Sequence, residues 1–305
     1  MIPERLARLR REMEQRRIDV YVVPTADFHE SEYVGDHFKA RSYITGFTGS
    51  AGTAVVTAAE AGLWTDARYF LQARRQLENT GVTLYRMGEE GVPTLMEYLR
   101  TALPEGGTLG FDGRVINARL GAAFLALAKE KNAKLAVGED LVGIIWDDRP
   151  ELPHAPVRIL TAEYSGRSAQ DKLAAVRGEM KKQGAGVHLL TSLYDIAWLL
   201  NVRGGDIEYV PVVLSYLALT EKNCFWFVQD AILTPELRDY LASVGVETRP
   251  YESFYAYAAA IPAGETVLLD KGVCNYRLVS ELCEGVEIVD ETNPSVLMKS
   301  IKNET

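Results

Sequence analysis

An internal repeat at a fixed offset of 167 residues is the feature that most constrains the fold of this chain. The N-terminal stretch reads as an amphipathic helix followed by the apolar strand Val20–Val23, and the same order recurs from Ser168 to Leu190. Six residues recur without a gap: Leu6, Ala7, Arg10, Glu12, Met13 and Val20 match Leu173, Ala174, Arg177, Glu179, Met180 and Val187. Unrelated helices often share an apolar period but seldom share charges as well, so the repeat predicts two copies of one domain.

A glycine loop, a hairpin and a helix follow one another in residues 41–75 of the first copy. Residues 53–57 and 62–65 read as two short strands, and Asp66 follows as the N-cap of a helix. The glycines before the hairpin are Gly46, Gly49 and Gly52. Their G-x-x-G-x-x-G spacing differs from G-x-G-x-x-G and the loop opens a strand, so close backbone packing is favoured over a phosphate site.

Alternating strand and helix signals continue through both copies. The first copy has strand patterns at 82–86, 108–111 and 134–137 and helix patterns at 93–103 and 117–131. The second copy has a hairpin at 212–219 and 224–228, then helix patterns at 235–243, 251–260 and 276–283. A leading hairpin followed by β-α-β units predicts an α/β fold in which each copy is a mixed sheet with helices on its faces.

These patterns divide the chain into four regions. We assign residues 1–137 to the first copy, 138–167 to a proline-rich linker, 168–290 to the second copy and 291–305 to the start of a further domain. The last region starts a short helix after Asn293 and ends within a turn or so, which is too short to be stable alone.

Charge and hydropathy restrict the partners and the compartment. The net charge is −9 and the pI is about 5.2, which disfavours nucleic acid and anionic membranes as partners. The N-terminus lacks the apolar region of a signal peptide, and no apolar run approaches the length of a membrane span. Cys224, Cys274 and Cys283 form no C-x-x-C motif, so we expect buried reduced thiols in a cytoplasmic protein.

One polar stretch offers a weak metal-site alternative. His29, Glu30, Glu32, Asp36 and His37 crowd together, and carboxylates with imidazoles are common metal ligands. Their spacing fits no ligand motif. A solvated loop is therefore the favoured interpretation.

The remaining histidines and acids show no catalytic pattern. His154 lies in the proline-rich linker and His188 in an apolar strand, and neither has a cysteine or a second histidine beside it. Asp147 and Asp148 are interpreted as a capped turn against Arg149 rather than as an acid/base pair. We assign no catalytic residue and no metal ligand within this chain.

Arg68 is the one candidate binding residue. If Asp66 caps the helix, Arg68 occupies an early helical position where its charge opposes the helix dipole. Such local conflicts fall often at functional positions, and an arginine fork suits carboxylates and carbonyls. The alternative, that Arg68 pairs with Asp66 or another acid, carries equal weight.

Several segments together resemble the N-terminal part of the three-domain Xaa-Pro aminopeptidases (aminopeptidase P) of the creatinase/methionine-aminopeptidase clan. The segments are residues 43–53 (YITGFTGSAGT), 63–72 (LWTDARYFLQ), 145–150 (IWDDRP), 192–204 (SLYDIAWLLNVRG) and 297–304 (LMKSIKNE). They span most of the chain in the family's order. Ala67 is a mild departure, because the family commonly has glycine before this arginine.

The resemblance implies fold and function. It implies two tandem creatinase N-terminal-type domains, followed in the family by a pita-bread catalytic domain that holds two divalent metal ions, often manganese, on two Asp, one His and two Glu. None of those ligands has a counterpart in residues 1–305. The substrate of the full-length family is a peptide with proline at the second position.

Two hypotheses of different classes follow. In the first, the chain is the non-catalytic N-terminal region of such an aminopeptidase, restricting substrate access, assisting assembly of a homodimer and placing Arg68 near the peptide. In the second, it is a stand-alone creatinase-like binding module without enzymatic activity. The unfinished element at the C-terminus favours the first hypothesis.

Overall fold

A computed structural model describes residues 1–302 of the chain. Asn303 and Glu304, which close the last family-like segment, lie outside the described residues, as does the end of the predicted region 291–305. The described chain forms two compact units. The first comprises Met1–Asp27 and Asp36–Glu151, and the second comprises Phe28–Gly35 together with the chain from Leu152 onward. The finer boundaries assigned from the sequence stay a prediction.

The first unit is built on a six-stranded mixed sheet with the order β4-β3-β2-β1-β5-β6. Its strands are β1 (Val20–Pro24), β2 (Thr53–Thr57), β3 (Ala61–Thr65), β4 (Thr83–Arg86), β5 (Thr108–Phe111) and β6 (Lys134–Ala136). Its helices are α1 (Ile2–Gln15), α2 (Ala40–Thr45), α3 (Phe70–Gln76), α4 (Leu95–Ala102), α5 (Ala118–Glu130) and α6 (Leu141–Ile145). Antiparallel pairing joins β1 to β2 and β2 to β3, and the other pairs are parallel.

The second unit repeats this sheet with the order β12-β11-β10-β8-β13-β14. Its strands are β7 (Arg158–Ile159), β8 (Val187–Leu190), β9 (Val202–Arg203), β10 (Ser215–Thr220), β11 (Cys224–Val228), β12 (Glu247–Pro250), β13 (Thr266–Leu269) and β14 (Glu287–Asp290). Its helices are α7 (Ala162–Ser165), α8 (Ala169–Lys182), α9 (Leu193–Leu199), α10 (Pro235–Ser243), α11 (Phe254–Ala259), α12 (Tyr276–Glu281) and α13 (Pro294–Ser300). Strand order and strand directions match the first unit pair by pair, which confirms the predicted duplication of a mixed α/β fold.

Short polar side chains start most of the predicted helices. Asn117 and Ser168 each accept a hydrogen bond from a backbone N–H in the first turn of α5 and α8. Thr94 and Glu97 form a reciprocal capping box at the start of α4. These local bonds satisfy N–H groups that a helix leaves free, so the sequence alone places the helix starts within a few residues.

A shared arginine ties the matching helices α1 and α8 to the sheets of their units. The Arg10 Nε donates to the carbonyl oxygen of Thr57 at 2.9 Å, and the Arg177 Nε donates to that of Thr220 at 2.9 Å. Both acceptors end the strand that pairs antiparallel with the central strand. Conservation of this bond between the copies marks it as part of the fold.

A basic residue near the start of that helix also packs on an aromatic ring in both units. The Arg5 guanidinium lies 3.9 Å from the ring centre of Tyr43, and the Lys172 Nζ lies 4.4 Å from that of Trp198. Lys172 is only 1% exposed, and its Nζ donates to the Trp198 carbonyl oxygen at 2.9 Å and to Asn201 Oδ1 at 2.5 Å. Burial, with Arg203 and Arg167 nearby, lowers the pKa of Lys172 from 10.5 to about 8.

None of the helices within residues 1–302 combines the length and the apolar character needed to cross a membrane.

The lowered pKa of Lys172 predicts that the folded chain becomes more stable as the solution becomes alkaline. Because its pKa is lower in the folded state, the folded chain bears the cost of a buried charge below about pH 8 and loses that cost as pH rises toward 10.5. The free energy of unfolding of the native chain, minus that of Lys172→Met, should therefore increase by about 2 kcal/mol between pH 8 and 10. Urea titrations of both proteins measure this, and a difference that is flat across that range contradicts it.

Candidate functional site

The glycine loop (residues 46–52) is a closely packed turn. Gly46 ends α2 in the left-handed conformation with φ +78°. A Cβ atom on Gly49 would lie 2.2 Å from Phe47 Cζ and 2.7 Å from Tyr69 Cδ1, and one on Gly52 would lie 3.0 Å from a backbone oxygen. The glycines therefore serve close packing, as predicted from their spacing.

A buried cation lies beneath the glycine loop. Arg41 is 3% exposed, and its Nε donates to Thr25 Oγ1 at 2.9 Å. Its two terminal nitrogens donate to the carbonyl oxygens of Phe47 and Gly49. Burial lowers the pKa of Arg41 to about 10, which still leaves it charged at neutral pH. The guanidinium thus fixes which way the loop carbonyls point.

Arg41 is not among the site residues predicted from the sequence. A comparison of the two copies could have identified it. Tyr43 of α2 and Trp198 of α9 occupy matching positions, because each packs against the equivalent basic residue, Arg5 or Lys172. With those two residues aligned, the position equivalent to Arg41 is held by Ile196, an apolar core residue of the second unit. The fold therefore accepts an apolar side chain here, and the charge in the first copy serves the glycine loop.

Hydroxyl and amide groups tie the outer side of the loop to the helix that follows. The Ser50 and Tyr69 hydroxyl oxygens lie 2.5 Å apart. The Gln76 Oε1 accepts from the Thr48 N–H at 2.9 Å, and its Nε2 donates to Thr48 Oγ1 at 2.8 Å. Side chains from two directions therefore hold the loop as a rigid surface beside residues 66–69.

Arg68 lies on that surface and is paired with Asp66. Asp66 caps the short 3-10 turn Ala67–Tyr69 by accepting from the Arg68 backbone N–H at 3.1 Å. The Arg68 Nε and Nη2 each donate to one Asp66 oxygen at 2.8 Å, which lowers the pKa of the Asp66 carboxyl. The side chains are 69% and 37% exposed, respectively. Arg68 thus faces outward and also has an acid partner, and its binding role stays a prediction.

The second unit has no arginine at the position of Arg68. The turn that follows β11 carries Ala231 three residues past the strand, where Arg68 stands three residues past β3. The duplicated fold forms without this charge. Arg68, like Arg41, distinguishes the first copy from the second.

The polar stretch 29–37 does not gather around a common point. His29 is buried in the second unit, where its Nδ1 donates to the Thr191 carbonyl oxygen at 3.0 Å and its Nε2 lies 2.8 Å from the Tyr251 hydroxyl. In the same segment, the Phe28 carbonyl oxygen accepts from Asn275 Nδ2 at 2.8 Å. In the first unit, the His37 Nδ1 donates to the Pro150 carbonyl oxygen at 2.7 Å, and burial lowers its pKa.

The other histidines have structural contacts. His154 is exposed in the linker, with its Nδ1 3.3 Å from the Leu152 carbonyl oxygen. His188 is fully buried in β8, where its Nδ1 donates to the Leu268 carbonyl oxygen at 2.9 Å and burial lowers its pKa to about 4. Across residues 1–302, no three His, Cys, Asp or Glu side chains converge into a group that could hold a metal ion.

The prediction that Arg149 pairs with the Asp147–Asp148 turn is wrong. Arg149 pairs with Asp140 at 2.5 Å, while Asp147 takes both terminal nitrogens of Arg8 at 2.7 and 2.9 Å. The half-buried Asp140 carboxylate offers Arg149 a drier site than the exposed turn does. The three cysteines are free, Cys224 and Cys274 being buried as expected and Cys283 half-buried.

Comparison with known families covers nearly the whole chain. The sequence profile of the creatinase/prolidase N-terminal domain matches residues 5–142, and a second profile of the same description matches residues 148–305. The chain is 38% identical over 312 residues to "Probable Xaa-Pro aminopeptidase P" of Penicillium rubens, which covers 99% of this chain and 50% of that protein. It is 36% identical over 286 residues to aminopeptidase P2 of Arabidopsis thaliana, covering 92% of this chain and 40% of that protein.

A solved structure extends the comparison to three dimensions. The X-prolyl aminopeptidase of Caenorhabditis elegans, described as a cytosolic enzyme with a di-nuclear active site, superposes with a TM-score of 0.92 at 29% identity. The match covers all of this chain and 52% of that one. The chain thus spans about half or less of the length of these relatives.

Packing of the glycine loop predicts the effect of a single methyl group. Gly49→Ala should lower the free energy of unfolding by about 1–3 kcal/mol, because the fully buried Phe47 ring cannot move away from the added Cβ. Gly138→Ala is the matched control, since a Cβ there meets nothing within 4 Å. Urea denaturation compares the two, and equal stabilities of both variants would show that the loop is not packed as described.

Proposed function

The chain belongs to the creatinase/prolidase N-terminal domain family, and we propose that it is the non-catalytic N-terminal region of a Xaa-Pro aminopeptidase. One observation carries the proposal: 99% of the chain aligns at 38% identity with only half of a curated aminopeptidase P. In this role the two domains restrict the access of peptides to a catalytic domain and assist assembly of a homodimer.

The proposed reaction is removal of an N-terminal residue that precedes proline. The metal ions for that hydrolysis would lie in the other half of the longer protein, in keeping with the di-nuclear active site of the C. elegans relative. Two manganese ions are our proposal for their identity. Metal ions in such a pair polarise the peptide carbonyl and supply a hydroxide nucleophile. We also propose the cytoplasm as the site of action, as for that cytosolic relative.

Arg68 is the proposed contact of this region with the peptide. It is 69% exposed on a rigid support, with Ser50, Tyr69 and the buried Arg41 fixing the loop beside it. Asp66 holds the guanidinium through Nε and Nη2, which leaves Nη1 available for a second acceptor. A preoriented guanidinium loses little side-chain entropy on binding a peptide carbonyl or carboxylate.

Replacing Arg68 should impair catalysis without destabilising the fold. In the full-length enzyme, Arg68→Ala should lower kcat/KM for a Xaa-Pro peptide by about ten- to a hundred-fold, the effect of one lost charge-assisted hydrogen bond. The melting temperature of the 305-residue chain should stay nearly unchanged, because the Asp66–Arg68 pair is exposed.

A matched control separates substrate contact from surface charge. Arg238 also forms an exposed pair with an aspartate, its Nη2 lying 2.7 Å from Asp230 Oδ1 in the second unit. Arg238→Ala should leave kcat/KM unchanged. A loss of stability with intact kcat/KM in Arg68→Ala would make Arg68 architectural and overturn its proposed role.

The 305-residue chain by itself should not cleave Xaa-Pro peptides. The expectation rests on the proposed location of the metal ligands in the other half of the longer protein. Release of the N-terminal residue is measured with added Mn²⁺, using the full-length enzyme as the positive control. Proline-specific release that remains after contaminating peptidases have been removed would refute the non-catalytic assignment.

A further inference from the structure

A basic groove lies at the end of α1 in the first unit. It has a volume of about 900 Å³, within the range of small-molecule sites, and its floor includes the partly exposed apolar side chains of Leu135 and Ala136. Five basic side chains line it: Arg10, Arg11, Arg16, Arg17 and Lys134. Two acids, Glu14 and Asp19, also line it. This local excess of positive charge stands against a net charge of −9 for the whole chain.

The second copy of the domain shows which of these charges the fold requires. Arg10 is matched by Arg177, and both make the same bond to a strand carbonyl. The other basic residues are not retained: Arg11, Arg16 and Arg17 correspond to Gly178, Gln183 and Gly184 at the repeat offset, and Lys134 corresponds by strand register to Glu287. The second unit forms the same fold without these four charges, so the fold does not require them.

Arg17 differs from its counterpart in the second copy in backbone cost as well as in charge. It adopts φ +57°, a left-handed conformation that disfavours residues with a side chain, and the matching Gly184 adopts φ +69°. Glycine thus fills this position in the second copy at no backbone cost, although the last turn of α8 carries Lys181 and Lys182. A cation just beyond the C-terminal end of a helix interacts favourably with the helix dipole, which could explain a positive charge at Arg17. The dipole does not explain the positive charges of Arg11 and Lys134, which lie elsewhere.

Within residues 1–302, four of the five groove cations form no ion pair with an acid, and one of these four, Arg10, is held by the Thr57 carbonyl oxygen. Arg16 pairs with Glu12 at 2.7 Å and also bonds Glu139, and Asp19 Oδ2 is occupied by the Thr108 N–H at 2.8 Å. Arg11, Arg17 and Lys134 form no ion pair within residues 1–302. Guanidinium forks beside an ammonium group match the closely spaced oxygens of phosphate chains.

We infer that this groove binds a small polyanion of the oligophosphate type, in a site separate from the peptide contact at Arg68. The shared chemistry is a chain of phosphate groups, carried either by inorganic polyphosphate or by a nucleoside triphosphate. The apolar floor offers a nucleoside a surface to pack on, so the two sources are distinguishable by affinity. The inference stands independently of the aminopeptidase assignment.

Calorimetric titration of the 305-residue chain with tripolyphosphate and, in parallel, with ATP tests the site. Arg11→Gly/Arg17→Gly installs the residues of the second copy, and its stability should stay close to that of the native chain, because the relief of the left-handed conformation at Arg17 offsets the cost of a glycine inside α1. It should bind tripolyphosphate roughly tenfold or more weakly. Lys134→Glu should weaken binding similarly. Arg74→Gln/Arg75→Gln, with the same loss of charge on exposed residues of α3, should not.

Each outcome bears on the inference. Equal affinities for both ligands would identify the phosphate chain as the recognised group, and tighter binding of ATP would add a nucleoside contact on the groove floor. Affinity should fall as ionic strength rises toward about 0.15 M. No binding to the native chain, or an equal loss in the α3 control, overturns the inference.

Discussion

The central strand of each sheet pairs antiparallel with one neighbour and parallel with the other, and every further strand is added through those two pairings. β1 bonds β2 on one side and β5 on the other, and β8 bonds β10 and β13 in the same way. Both central strands are apolar and buried, because helices or loops cover both faces. A one-residue change of register in β1 or β8 would move every side chain of that strand to the opposite face of its sheet.

Duplication of this scaffold provides an internal comparison that a single domain lacks. Contacts that recur, such as the bond from Arg10 or Arg177 to the strand end, belong to the scaffold. Charges that occur in the first copy alone surround the glycine loop and the end of α1. The second copy folds with the apolar Ile196 at the position of Arg41, so the fold does not require a buried charge there. In the first copy, Arg41 orients the loop that carries Ser50. The two copies thus share the scaffold and differ in the charged residues beside the glycine loop and at the end of α1.

Local sequence signals predicted most of the fold but few of the contacts at the site. Helix starts at Asn117 and Ser168 and the hairpin before Asp66 were predictable, because capping and turn residues act within a few positions along the chain. The buried position of Arg41 was not, since it depends on carbonyl groups that the folded loop presents. The Arg8–Asp147 pair joins residues far apart in sequence, so no local pattern could select Asp147 over nearer acids.

The second unit is discontinuous in sequence, which affects the order in which the protein is synthesised and folds. Its segment Phe28–Gly35 emerges from the ribosome before the whole of residues 36–151, which complete the first unit. Thr191 and Tyr251, which form hydrogen bonds with His29 in the folded unit, are translated much later. During synthesis this short segment therefore waits without its partners while residues 36–151 are made and the first unit folds. A polypeptide cut between the two halves of the sequence would deprive the later domain of a buried histidine that only the earlier half encodes.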